Sequence, residues 1–201
     1  MLVAGIKSRP VYKGFEIDPH ARRHLFVLEG EGALALLDRL SGGPADVLAK
    51  TEVLYAPSAS KGHGREEALM ALGAKDVWMA PTIPVLLNRF NVMLQTAHMG
   101  LRIYIAGTEG FIGQAMKVAM DHGVDFNSLV TEHRGSAARR VQCVHCKGIT
   151  ENVTVSPFIC SHCGLPLLVR DHYSRRLAAF QGVNIDAEEP GTAPPPEELF
   201  P

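Results

Sequence analysis

All four cysteines of the chain fall within 21 consecutive residues, as Cys143-Val144-His145-Cys146 and Cys160-Ser161-His162-Cys163. Two C-x-x-C pairs separated by 13 residues put two thiolates on each of two short loops. The intervening stretch is long enough for a hairpin that closes the four sulfurs into a tetrahedron. Gly164 follows the second pair, where such a loop calls for positive φ, and Val153, Val155 and Ile159 make the stretch between the pairs β-rich. Cys143, Cys146, Cys160 and Cys163 are therefore the expected metal ligands. A four-thiolate set with no open position is structural zinc chemistry, and a module of about 40 residues has too little core to fold without such a staple. The same sulfurs hold a redox-active iron equally well, which is the alternative. His145 and His162 read as surface imidazoles, because four thiolates already complete the set.

A second group of residues has types suited to a phosphate. Gly30-Glu31-Gly32 and Gly107-Thr108-Glu109-Gly110 each follow an apolar run and open an amphipathic one. Loops at the carboxyl ends of parallel strands are where α/β folds take ligands, and the N–H groups of the helix that follows can cradle an anion. Ser58, Ser60 and Lys61 lie in the loop after the second expected strand, where this architecture reads a ribose 2′-phosphate. Gly30, Gly32, Ser58, Lys61, Gly107 and Thr108 are thus the candidate NADPH-binding residues. The competing reading is that the glycines only permit tight turns, since neither loop is a full G-x-G-x-x-G or a P-loop. Glu29, Glu31 and Glu109 also set negative charge beside the phosphate position.

The elements that must position these residues show in the alternation of short β-rich runs with longer amphipathic ones. Strands are expected at His24–Leu28, Thr51–Ala56, Lys75–Ala80 and Leu101–Ala106, with helices at Ala33–Leu40, Arg65–Leu72, Pro81–Gly100 and Phe111–His122. Leu2–Asp18 is a candidate edge strand, and Ser136-Ala137-Ala138 is the expected hinge to the cysteine module. The fold class that follows is α/β: a Rossmann-like parallel sheet with helices, then a small zinc-ribbon or rubredoxin-like module and an extended tail. The expected boundaries are 1–135, 136–183 and 184–201, the last acidic and Pro-rich.

Composition narrows the functional classes. The 201 residues are 46% hydrophobic and 20% charged, which suits a globular chain and excludes a mostly disordered one. No apolar run reaches the length of a membrane span and Met1–Pro10 has no secretory h-region, so the expected location is cytoplasmic, with no membrane partner. Lys+Arg 20 against Asp+Glu 21 gives no global drive toward nucleic acid, and the basic residues near the cysteines lack interleaved aromatics. No catalytic residue is assigned. Asp171 and His172 are adjacent and have no nucleophile nearby in sequence, and the other histidines show no H-x-x-x-H or H-E-x-x-H spacing.

The stretches His24–Gly32, Val53–Ala56, Arg102–Ile112 and Leu129–Glu132 resemble the pyridine-nucleotide domain of ferredoxin-reductase-type flavoenzymes. That family's Thr-Pro after the first glycines is here Ala33-Leu34, its Cys-Gly-Pro is Ala106-Gly107-Thr108, and no flavin domain accompanies it. Over nearly its full length the chain resembles the DmmA-type small subunits of bacterial dimethylamine monooxygenase, on Ser8–Tyr12, Gly107–Ile112, Arg140–Cys146 and above all Val169–Phe180. This resemblance implies a subunit of a complex that uses NADPH and O2 to demethylate dimethylamine to methylamine and formaldehyde. The partners it implies are a haem-containing oxygenase subunit and a flavin/iron-sulfur reductase subunit, which would carry those cofactors. The chain itself is then an accessory subunit that bridges them. With iron at the four thiolates, it would instead be a rubredoxin-like electron carrier.

Overall fold

The computed structural model describes residues 8–57 and 65–201. They divide into two units, one formed by 12–135 and the other by 136–201 together with the N-terminal residues up to Val11.

In the first unit β1 (Arg23–Glu29), α1 (Gly32–Leu40), α2 (Ala45–Leu48), β2 (Thr51–Ala56), α3 (Glu66–Ala71), β3 (Asp76–Met79), α4 (Ile83–Gln95), β4 (Leu101–Gly107), α5 (Glu109–Asp121) and β5 (Val130–His133) follow in order, with a 3-10 turn at Phe126–Ser128. The strands pair in parallel in the order β3-β2-β1-β4-β5. A parallel sheet needs a helical crossover between neighbours and is covered on both faces, which is why β1, β2 and β4 read as continuous apolar runs. Alternate residues face opposite layers. Leu25, Val27, Leu54, Ile103 and Ile105 pack with Leu86, Phe90, Leu94, Phe111, Ile112 and Ala115 of α4 and α5. Phe26, Leu28, Val53, Tyr55 and Tyr104 pack with Ala33, Leu36, Leu40, Val47 and Leu69 on the other side. Thr82 caps α4 by accepting the Val85 N–H at 3.4 Å, with proline in its first turn, so the helix begins two residues after the sequence suggests.

The chain moves outward from β1 to β2 and β3, then crosses back to β4 on the other side of β1. The switch point therefore lies between the carboxyl ends of β1 and β4. Residues 1–7 lie outside the described set, and Tyr12–Asp18 forms no strand of this sheet, although Gly14 N–H donates to Thr131 O at 3.1 Å. Phe15 is buried against Phe26 and Tyr104, and its N–H donates to the Glu132 carboxylate at 2.7 Å.

In the second unit β6 (Arg139–Cys143), β7 (Ile149–Val153), β9 (Phe158–Ile159), β10 (Pro166–Ser174) and β11 (Ala179–Asn184) build a sheet in the order β7-β6-β11-β10-β9, and β8 (Val155–Ser156) lies outside it. A final short strand, β12 (Glu197–Glu198), pairs antiparallel with β8. Val141, Val153, Phe158, Leu167, Val169, Phe180 and Phe200 make its core. Where the composition of residues 184–201 leads one to expect an extended tail, the chain leaves β11 at Asn184, bends and turns over 185–191 and is tied back to this unit. The Leu199 and Phe200 N–H groups donate to Thr154 O at 3.0 and 2.9 Å, and Phe200 is buried. The Arg139 guanidinium lies 4.0 Å from the Phe180 ring and 4.0 Å from the Phe200 ring, and it donates to Asp171 Oδ1 at 2.9 Å. Ser8 bridges to His172 and Arg9 pairs with Asp171, so these N-terminal residues belong with the ribbon.

Candidate functional site

The four cysteines sit on two loops of the same construction. Cys143 ends β6; its N–H donates to Gly148 O at 2.9 Å, and its carbonyl accepts the Lys147 N–H at 3.0 Å. Cys160 follows β9 and repeats the pattern, donating to Leu165 O at 2.9 Å and accepting from Gly164 N–H at 3.0 Å. The residue after each pair is left-handed, Lys147 at φ 64° and Gly164 at φ 75°, which turns the backbone amides inward toward the sulfurs. Gly148 N–H donates to Cys146 Sγ at 3.4 Å.

The loops meet across the site, with Cys143 Sγ 3.9 Å from Cys163 Sγ and Cys146 Sγ 3.8 Å from Cys160 Sγ; all four sulfurs lie within 4.8 Å of one another. A tetrahedron with metal–sulfur bonds of about 2.3 Å has edges of about 3.8 Å. A disulfide needs about 2.05 Å, so these sulfurs are not paired as disulfides. Burial raises the Cys160 thiol, but N–H donors from Cys163 and His162 and the neighbouring sulfurs outweigh it and bring the group down to about 6. Leu165 N–H favours the Cys163 thiolate, yet burial and the three other sulfurs push that group up to about 12. Crowded sulfurs of this kind do not all ionise by themselves, and a dication is what neutralises them. The donor set therefore fits a four-coordinate, sulfur-ligated metal, and zinc and ferrous or ferric iron share this geometry. His145 and His162 are exposed and lie outside the sulfur group, with His162 Nε2 2.8 Å from Ile149 O.

The nucleotide-like residues have a different fate. Gly30, Gly32, Gly107 and Thr108 do come together at the switch point, whereas Ser58 and Lys61 lie outside the described residues. A Cβ on Gly32 would stand 2.1 Å from Ala106 O, so α1 begins directly against the end of β4. A Cβ on Gly107 would stand 2.7 Å from Glu29 Oε2, and φ there is 151°. Both glycines are thus required by the contact of one loop with the other. Glu29, only 3% exposed, accepts the Thr108 N–H at 2.9 Å. Beside it Tyr12 donates to Glu109 Oε1 at 3.1 Å and stacks on His133 at 5.8 Å between ring centroids. A diphosphate between these loops would therefore lie beside a buried carboxylate that already occupies the Thr108 amide, a poor fit for a second anion.

Sequence reasoning passed over Lys147, Arg139, Tyr12 and Glu132. Superposing Cys143-x-x-Cys146-Lys147 on Cys160-x-x-Cys163-Gly164 would have singled out Lys147 as the second left-handed position. The contacts of the other three are long-range and leave no local signal.

A doubly wound α/β unit joined to a four-thiolate β-ribbon is the class of protein that this fold and site define. The description "Dimethylamine monooxygenase subunit DmmA-like" matches residues 4–129 with its N-terminal domain and residues 140–183 with its C-terminal domain, and the chain belongs to that family. The heme-dependent oxidative N-demethylase delta subunit of Ectopseudomonas mendocina (strain ymp) is 31% identical over 110 residues, 55% of this chain and 63% of that protein. The match thus spans under two thirds of the relative. Solved structures with some likeness are an intact type IV self-sufficient cytochrome P450 monooxygenase (TM-score 0.45, 18% identity, 84% of this chain and 28% of that one) and flavohemoglobin from Malassezia yamatoensis (TM-score 0.42, 14% identity, 60% and 33%). No helix among the described residues is long and apolar enough to cross a membrane.

Proposed function

We propose that the chain is a cytoplasmic, non-catalytic accessory subunit of an NADPH- and O2-dependent oxidative N-demethylase acting on dimethylamine. Its role is to hold a haem-containing oxygenase chain and a flavin/iron-sulfur reductase chain together. Membership of the DmmA-like family supports the complex. The observation that carries the accessory role is the closed four-thiolate centre, which has four protein donors and leaves no coordination position for substrate or O2. Zinc bound there would cross-link the two knuckle loops, and the sheet built on Cys143 and Cys160 then presents a fixed surface. A second reading, iron at the same sulfurs acting as an electron relay, draws on the exposure of Cys146 and of Ile159, which opens one edge of the centre to a partner.

The test is reconstitution of the haem and reductase chains with and without this subunit. The proposal expects the two chains to separate on gel filtration in its absence and NADPH-driven demethylation of dimethylamine to fall with them. Full coupled turnover and an intact complex without the subunit would refute it.

A further inference from the structure

The two loops at the switch point are where a chain of this topology would take a dinucleotide, and here they are joined by a side chain of the protein itself. The Glu29 carboxylate is buried and sits on the Thr108 amide, the first N–H of the segment that opens α5. The β1–α1 loop abuts the end of β4 so closely that Gly32 has no room for a Cβ. Tyr12, Glu109 and His133 link up outside the strand ends of β4 and β5. An incoming diphosphate would have to displace a carboxylate from its donor, separate two loops in direct contact and desolvate beside a like charge.

We infer that Glu29 acts as an internal anion that closes this crevice, so that the chain takes no NADPH and the dinucleotide of any complex it joins is bound elsewhere. The α/β unit then serves as a rigid body locked by its own carboxylate. The inference is independent of the accessory role, which is read from complex assembly rather than from nucleotide binding.

Amide-resolved NMR on the full-length 15N-labelled chain tests it. With about 1 mM NADPH, the upper end of ordinary KM values, the amides of Gly30, Gly32, Gly107 and Thr108 are expected not to move in the wild type. In Glu29→Ala the Thr108 amide is expected to exchange with solvent about tenfold faster or more, as the loss of a bond to a charged acceptor implies. Should that variant fail to fold, Glu29→Gln keeps an acceptor of the same reach without the charge, and exchange about threefold faster is expected. Saturable NADPH-dependent shifts of these amides in the wild type, or unchanged Thr108 exchange in a folded variant, would overturn the inference.

Discussion

Lys147 and Gly164 occupy the same place in two loops whose sequences agree at the cysteines and at the histidine before the second of them: each follows the second ligand of its pair, each is left-handed, and each donates its N–H to the carbonyl of the first ligand. One of the two is not glycine. A residue with a Cβ costs about 1–2 kcal/mol in this conformation, while glycine costs about 0.5–1 kcal/mol in backbone entropy. Lys147→Gly is therefore expected to stabilise the ribbon by about 0.5 kcal/mol, and Gly164→Ala, whose Cβ would meet nothing within 4 Å, to destabilise it by about 1 kcal/mol through backbone strain alone. Urea unfolding of the metal-loaded variants measures both. A loss on Lys147→Gly would show that the 2.6 Å bond from its Nζ to Val144 O outweighs the strain.

Metal removal should act on one unit and spare the other. A strong chelator with a thiol competitor is expected to melt residues 136–201, because the β-ribbon has a small core and Cys143 and Cys160 are part of it. The parallel-sheet unit has its own two-faced core and is expected to persist. Hydrogen exchange read separately on β1 and β10 checks this, and equal protection of β10 with and without metal would contradict it. Cys143→Ser and Cys160→Ser should abolish stoichiometric metal binding.

Phe200 is the anchor that ties the C-terminal residues down. Removing its ring uncovers the Arg139 guanidinium and opens the core of the ribbon, so Phe200→Ala is expected to cost about 3 kcal/mol. Denaturant unfolding of the full chain reads it, and a change under about 0.5 kcal/mol, the level of an ordinary surface substitution, would show that the contact contributes nothing.

The parallel sheet was legible because its strands are apolar on both faces and alternate with amphipathic helices; the observed bounds differ from the expected ones by a few residues at the ends. The four cysteines were legible because a spacing rule is local. Phe200 was not, since an acidic, Pro-rich composition hides a single anchoring ring. The closed crevice was half legible: Glu29 showed as misplaced negative charge, but its bond to a residue 79 positions away could not be read from spacing. The four-residue helix α2 was missed because Ala45–Leu48 is too short to show a period.

Acid should weaken the first unit in two stages. His24 is fully buried beside Tyr104, and its Nε2 has no partner among the described residues. Burial, aided by Lys50, lowers its pKa below the ordinary 6.5. The unfolded chain therefore takes up a proton below 6.5 before the folded one does, and stability falls as pH drops from that point toward the folded value. Glu52 is lowered from 4.5: burial raises it, but bonds from Arg23 and Lys75 prevail, so its contribution is lost only below 4.5. Urea midpoints at neutral and mildly acidic pH should differ in the wild type and lose most of that difference in His24→Gln.

The most direct measurement of the account is elemental analysis with an absorption spectrum on the full chain purified without added metal. A structural accessory subunit predicts about one zinc per chain and no visible band. One iron per chain with thiolate charge-transfer colour and a reversible couple would contradict it and place this subunit on the electron path.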